Sequence, residues 1–308
     1  MTPVIVGPDV ETQLDWRELL VAFEAGHRLP RAEIADSFLY RDPDTLLSRA
    51  AWIDGLGSAV KTATIFPRNP AAARPMINGA VTLFSDTDGT LEAIVDFHIV
   101  TRWKTAGDSL YAASLLARPE SRRITIVGAG TVGASMIDAY RALFPEADFT
   151  VWNRSAAAAR DLAGRSPRTR AEPDLEAAVR GADIICTATM AREPVIQGDW
   201  LEPGQHLDLI GAYRPDMREV DDTALRRATL FVDSRDTTLD HIGELKIPLA
   251  QGVIGRDDIR ADFYDVAAGR FVRETPDQIT IAKNGGGAHL DLMTARYVLE
   301  KARAAGND

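Results

Sequence analysis

The sequence predicts an α/β protein whose second half is a doubly wound, mostly parallel sheet of the Rossmann type. Three observations predict it. From Arg123 onward, short continuous apolar runs alternate with helical stretches, as strands buried on both faces between crossover helices require. The first run, Ile124-Thr125-Ile126-Val127, leads straight into Gly128-Ala129-Gly130-Thr131-Val132-Gly133. A helical stretch over residues 132–144 follows at once, which is the strand–turn–helix setting that gives such glycine spacing its meaning.

The remaining elements follow from local pattern. Residues 11–28 read as a helix, with Leu14, Leu19, Leu20, Ala22 and Phe23 at helical spacing. Residues 58–66 and 79–85 are strand-like, and Asp86-Thr87-Asp88-Gly89-Thr90 is a turn that joins the latter to 91–96 in an antiparallel hairpin. Residues 101–116 form an Ala- and Leu-rich helix. Beyond it the expected strands are 124–127, 149–152, 183–187, 206–210 and 230–233, with a helix over 156–163 and a last helix over 291–304. The domain boundary is expected near Arg118-Pro119-Glu120-Ser121.

Composition narrows the function. At 45% hydrophobic residues the chain can bury a sizeable core, and its net charge of −10 disfavours nucleic acid and anionic membranes as partners while leaving room for a local basic pocket. Cys186 is the single cysteine, so no intrachain disulfide is possible. The five histidines are far apart and no Cys/His spacing suits a metal. No apolar run is long enough to span a bilayer, and residues 1–9 lack the basic start and apolar stretch of a signal peptide, so the cytoplasm is the expected location.

In the glycine loop, Gly128 permits the tight turn, Gly130 lets the backbone approach a pyrophosphate and Gly133 allows helix to pack on strand. Thr131 and Val132 open the helix, whose free N–H groups and partial positive charge attract phosphate. After the second strand, an acidic residue that would bind a ribose 2′-hydroxyl is missing. Asn153, Arg154 and Ser155 stand there, and a guanidinium suits a 2′-phosphate, which favours NADPH over NADH. A solvated loop arginine is the alternative. Thr187, Ala188 and Thr189 follow the fourth strand, where small residues leave room for the nicotinamide ribose or begin the next segment, and Gly211 ends the strand after that.

Several stretches together resemble the ornithine cyclodeaminase/mu-crystallin family along nearly the whole chain. They are Val60-Lys61-Thr62, the run from Asp88 to Asp96, Thr101-Arg102-Trp103-Lys104-Thr105-Ala106, the glycine loop, Trp152-Asn153-Arg154, and the run from Gly211 to Glu219. The resemblance implies a homodimer, and an α+β substrate-binding and dimerisation domain of residues 1–117 and 288–308 beside an NAD(P)-binding domain of residues 118–287. It implies a small amino or imino acid substrate and activities that divide between ornithine deamination and reduction of cyclic ketimines. The deaminases carry a catalytic aspartate where this chain has Tyr213, and its Arg-Pro-Asp-Met-Arg-Glu run resembles the ketimine reductase branch. The expected reaction is NAD(P)H-dependent reduction of Δ1-pyrroline-2-carboxylate to L-proline, or of Δ1-piperideine-2-carboxylate to L-pipecolate. Ornithine cyclodeamination and a mu-crystallin-like NADPH-dependent binding role are the alternatives.

The resemblance also assigns candidate catalytic residues. Lys61 lies inside an apolar strand, where a lysine needs a reason, and matches the family's active-site lysine, which contacts the substrate carboxylate; burial can also lower its pKa and give it a proton-donor role, and an edge-strand lysine facing solvent is the alternative. Lys104 stands where the family usually has a carboxylate-gripping arginine, and a lysine cannot form that planar fork. Arg49 aligns roughly with another carboxylate-binding arginine, or is a surface residue. In Lys283-Asn284-Gly285-Gly286-Gly287-Ala288-His289-Leu290-Asp291, His289 is a possible proton relay and Asp291 matches a family aspartate, with a hinge and an N-cap as the plainer reading.

Overall fold

The computed structural model describes residues 2–306; the outermost residues of the expected first domain, Met1, Asn307 and Asp308, lie outside the described residues. The chain divides into two compact units. One comprises residues up to Lys104 together with those from Gly287 onward, and the other is Thr105–Gly286. The division falls inside a helix.

The first unit contains β1 (Val4–Val6), α1 (Trp16–His27), β2 (Glu33–Arg41), β3 (Asp44–Ile53), β4 (Gly57–Ile65), β5 (Ile77–Phe84), β6 (Leu91–Asp96), the start of α2 (Phe97–Leu116) and the final helix, Ala288–Ala304. Among the described residues its sheet has six strands in the order β1-β6-β5-β4-β3-β2. β1 runs parallel to β6 and the other pairs are antiparallel. The expected β5–β6 hairpin is present, and Gly89 supplies the positive φ of 68° that its turn needs. The final helix lies against β3 and β4. That fixes the faces of β4: Ala59, Lys61 and Ala63 are buried under the helix, while Ser58, Val60, Thr62 and Thr64 point to the other side. On that other side Leu39, Leu46 and Trp52 remain exposed.

One expectation shifts at the start of the chain, and one element there was not expected. The helix expected from residue 11 begins at Trp16, because Asp15 caps it by accepting from the N–H groups of Arg17 and Glu18, and the preceding Pro8–Gln13 forms a separate 3-10 turn. The β2–β3 hairpin had no sequence expectation. Its residues are mostly exposed or half-buried on both faces, so they show no clean alternation.

The second unit continues α2 and adds β7 (Arg123–Val127), α3 (Thr131–Leu143), β8 (Asp148–Trp152), α4 (Ala156–Arg165), β9 (Thr169–Ala171), α5 (Leu175–Arg180), β10 (Ile184–Thr187), β11 (His206–Leu209), α6 (Asp222–Arg227), β12 (Thr229–Val232), α7 (Arg235–Thr238), α8 (Gly243–Ala250), β13 (Ile259–Ala261) and β14 (Thr280–Lys283). The strands form one parallel sheet in the order β13-β12-β14-β11-β10-β7-β8-β9. The strand order reverses between β7 and β10, which places the ligand crevice of this unit at their carboxyl ends. All five expected strands are there. β14, unforeseen, sits inside the sheet between β11 and β12. Among the described residues no helix is long and apolar enough to cross a membrane.

Polar groups buried in this sheet are tied together. The Tyr140 hydroxyl on α3 donates to the Asp208 carboxylate on β11; the same Asp208 oxygen lies 3.0 Å from His206 Nε2, and His206 Nδ1 lies 2.9 Å from the Thr280 hydroxyl on β14. This chain crosses from helix to two neighbouring strands inside apolar surroundings. Tyr140→Phe removes one donor from a buried carboxylate and is expected to cost about 1–3 kcal/mol in denaturant unfolding; an unchanged unfolding midpoint would show that the Tyr140–Asp208 link contributes nothing.

Candidate active site

In the second unit the loop after β7 is shaped for close approach. Gly128 has φ 122°, and a Cβ there would come within 2.6 Å of the Ala188 carbonyl oxygen. A Cβ on Gly133 would meet the Gly128 carbonyl oxygen at 2.0 Å, whereas one on Gly130 would face open space. Gly130 is the N-cap of α3 and has no side chain to cap it, so the first N–H groups of α3 are left for a ligand. Thr131 and Val132 are exposed beside it. This cradle fits the pyrophosphate of a dinucleotide.

At the end of β8 the three candidate residues divide. Asn153 Oδ1 accepts from the Ala129 N–H at 3.2 Å and its Nδ2 donates to the Ser155 carbonyl at 3.2 Å. Ser155 caps α4 through the Ala158 N–H. Both therefore hold the loop in shape, and exposed Arg154 is the member whose charge faces solvent.

The carboxyl ends of β10 and β11 meet on a residue that sequence reasoning passed over. The Glu219 carboxylate accepts from the Thr187 hydroxyl at 2.7 Å, from the Thr189 N–H and hydroxyl at 2.8 and 2.7 Å, and from the Gly211 and Ala212 N–H groups at 2.8 and 3.1 Å. The Glu244 carboxylate in turn accepts from the backbone N–H groups of Glu219 and Val220. Burial, and then the neighbouring Glu219, push the Glu244 pKa up to about 7. Buried Lys283 donates to the carbonyls of Leu209 and Asn284 at 2.6 and 2.8 Å, and Asn284 is held by Asp108 and Ser109. Glu219 stands in the charged stretch Arg218-Glu219-Val220-Asp221-Asp222, which carries no local signal of a buried role.

In the first unit a separate group of charges is gathered on the buried face of the sheet. Register places Asp36, Arg49 and Lys61 in one row across β2, β3 and β4. Arg49 pairs with Asp36 at 2.9 Å. Lys61 Nζ lies 2.9 Å from Asp291 Oδ1, and Lys104 Nζ lies 4.0 Å from the same oxygen. Lys61, Lys104 and Asp291 are all buried, so the solvent-facing alternative for Lys61 does not hold. Asp291 stands in the first turn of the final helix, whose N-cap is Gly287, so the capping alternative for Asp291 does not hold either.

Burial pulls the Lys61 pKa down to about 8; Asp291 works against that, and Lys104 and Arg49 add to it. For Asp291, burial works upward, but Lys104, Lys61 and Arg49 outweigh it and hold the carboxyl below its usual range. Its Oδ2 is buried and has no hydrogen-bond partner among the described residues. His289 is buried with its ring centroid 5.4 Å from that of His27, edge to face. Burial, and then His27 and the charges of Lys104, Arg49 and Arg31, push its pKa well below the usual imidazole range. Its ring is neutral at physiological pH and is no imidazolium donor there.

The profile of the ornithine cyclodeaminase/mu-crystallin family matches residues 53–306. A Δ1-pyrroline-2-carboxylate reductase of Paracoccus denitrificans is 51% identical over 296 residues, 94% of each chain. The chain belongs to the ornithine cyclodeaminase/mu-crystallin family. Two solved structures agree with this over nearly full length. The Δ1-pyrroline-2-carboxylate reductase of Thermococcus litoralis, in complex with NADH and L-proline, superposes with a TM-score of 0.89 at 25% identity, covering 98% of each chain. An archaeal alanine dehydrogenase dimer with bound NAD superposes with a TM-score of 0.89 at 28% identity, covering 99% of this chain and 97% of its own.

The cradle after β7 fits the pyrophosphate of a dinucleotide, and the loop after β8 supplies a test of which one. Loss of a charge-assisted contact to a 2′-phosphate in Arg154→Ala is expected to weaken NADPH roughly 10- to 100-fold relative to NADH, read as the ratio of their Kd values. An unchanged ratio would remove Arg154 from 2′-phosphate recognition.

Proposed function

We propose that this chain is an NAD(P)H-dependent ketimine reductase that converts Δ1-pyrroline-2-carboxylate to L-proline, with the six-membered Δ1-piperideine-2-carboxylate as a second substrate giving L-pipecolate. The observation that carries this reading is the buried Lys61–Asp291 pair with Lys104 and Arg49 beside it. Three cations against the carboxylates of Asp36 and Asp291 leave one formal positive charge, the complement of a single substrate carboxylate. Lys104 meets that carboxylate as a point charge, where a guanidinium would have gripped both oxygens.

The chemistry needs a proton at the imine nitrogen and a hydride at the imine carbon. When bound, the dihydronicotinamide supplies the hydride. With a pKa of about 8, Lys61 is largely an ammonium at neutral pH, yet gives up its proton more readily than an exposed lysine would. Its proton passes from Nζ to the imine nitrogen, the C=N bond becomes a C–N single bond, and the lysine is reprotonated from water. Asp291 keeps that ammonium charged and aimed. Its second oxygen is an acceptor for the N–H the substrate nitrogen acquires.

Ring-closing deamination of ornithine is the weaker reading, because exposed Tyr213 stands where the deaminases have their aspartate. NADPH and NADH absorbance with Δ1-pyrroline-2-carboxylate, beside an assay of ammonia release from L-ornithine, tests the two. Oxidation of cofactor with L-proline formed and no ammonia is the expected result; ammonia without net oxidation would sink the reductase reading. Lys61→Ala is expected to lower kcat about 10²- to 10⁴-fold. In the intact enzyme, activity should fall as pH rises through about 8, where Lys61 loses its proton. Since Asp291 raises that pKa, Asp291→Asn should move the alkaline limb to lower pH. A limb that stays in place would take the proton away from Lys61.

The chain's assembly is part of the proposal. The open face of the first unit's sheet exposes Leu39, Leu46 and Trp52, which a second copy would cover in a homodimer. Trp52→Glu should then shift the sedimenting species from dimer to monomer; a wild-type monomer would refute the homodimer.

A further inference from the structure

Glu219 is fully buried, touches no reacting group, and yet spends both carboxylate oxygens on two loops. Oε1 takes the N–H and the hydroxyl of Thr189, and Oε2 takes the Thr187 hydroxyl and the N–H groups of Gly211 and Ala212. The first loop ends β10 and the second ends β11. They are packed so closely that a Cβ on Gly211 would lie 2.2 Å from the Thr189 carbonyl oxygen. Glu219 is itself held: Glu244 accepts from its backbone N–H at 2.7 Å and from that of Val220 at 3.1 Å.

The place of this clamp in the sheet gives it a meaning. The pyrophosphate cradle follows β7 and the adenosine ribose site follows β8, on one side of the point where strand order reverses. A dinucleotide laid across that point puts its nicotinamide half over the carboxyl ends of β10 and β11. We propose that Glu219 is the positioning residue for the nicotinamide half of the cofactor, clamping the Thr187–Thr189 and Gly211–Ala212 loops at the spacing that receives it. This rests on the reading that the crevice takes a nicotinamide dinucleotide, and it adds a determinant that acts on one half of that ligand only. A carboxylate suits the task because it accepts everywhere and donates nowhere. A glutamine in its place would turn an NH₂ group toward at least two donors, whichever way its amide lay.

The test compares two ligands on the whole protein by calorimetry: NADPH, and ADP-ribose 2′-phosphate, which lacks only the nicotinamide. In Glu219→Gln the Kd for NADPH is expected to rise about tenfold while that for ADP-ribose 2′-phosphate stays within about twofold. KM for NADPH should rise with the same factor. Equal weakening of both ligands would make Glu219 a general support of the fold and overturn the proposal, as would no change in either. Should Glu219→Gln fail to fold, Thr189→Val deletes one hydroxyl donor to the same oxygen and is judged by the same two ligands, with a smaller loss for NADPH expected. Failure of the wild-type protein to bind NADPH or NADH at all would instead strike the cofactor reading on which this one rests.

Discussion

The first unit is organised around one buried ion pair. Removing the Lys61 ammonium and the Asp291 carboxylate from water is costly, and each is tolerated only because the other lies 2.9 Å away with further cations around them. The pair joins residues 230 apart in sequence, one on a strand near the start and one on the final helix. Ala59 and Ala63 flank Lys61 on the same face of β4 and leave room for that helix to come down on the sheet. A charge that must be buried for its pKa to be useful therefore also dictates which helix covers which face. Burial brings the Lys61 pKa down to about 8, and the Asp291 carboxylate keeps it from falling further.

A second constraint governs the other unit. Parallel strands leave their backbone groups at the carboxyl edge without partners from the sheet, and this protein satisfies them with buried charged side chains: Glu219 for N–H groups, Glu244 for the next two, and Lys283 for carbonyls. The three lie close enough that each alters the ionisation of another, as the upward push on Glu244 by Glu219 shows. The edge that must stay open for a ligand is kept open by groups that cannot collapse into an apolar core.

Sequence was most informative where one residue's backbone or periodicity decides the outcome. The glycine loop, the turn at Gly89 and the apolar strands β7, β10 and β11 could be read locally, because positive φ and burial on both faces leave a mark in the residues themselves. Helix α1 was extended too far because Leu14 fits the helical spacing while Asp15 caps the helix after it. Strand β14 ends in a buried lysine whose partners are carbonyls from other segments, so nothing nearby in sequence marks it as interior. The charge cluster of the first unit was legible only in part. Lys61 stood out inside an apolar strand, but the lowered pKa of His289 comes from its burial and then from His27, Lys104, Arg49 and Arg31, and that convergence exists only in three dimensions. Glu219 went unread for the same reason, since all five of its donors lie on two loops at other points of the chain.

The return of the final helix to the first unit also sets an order of events during synthesis. The second unit is one continuous stretch, Thr105–Gly286, and every residue of it leaves the ribosome before Asp291 does. It can fold while the first unit still lacks its covering helix, and until then the face of β4 that carries Lys61 has no carboxylate from that helix to meet it. The second unit is thus complete in the nascent chain before Lys61 has its partner, and the Lys61–Asp291 contact forms only afterwards.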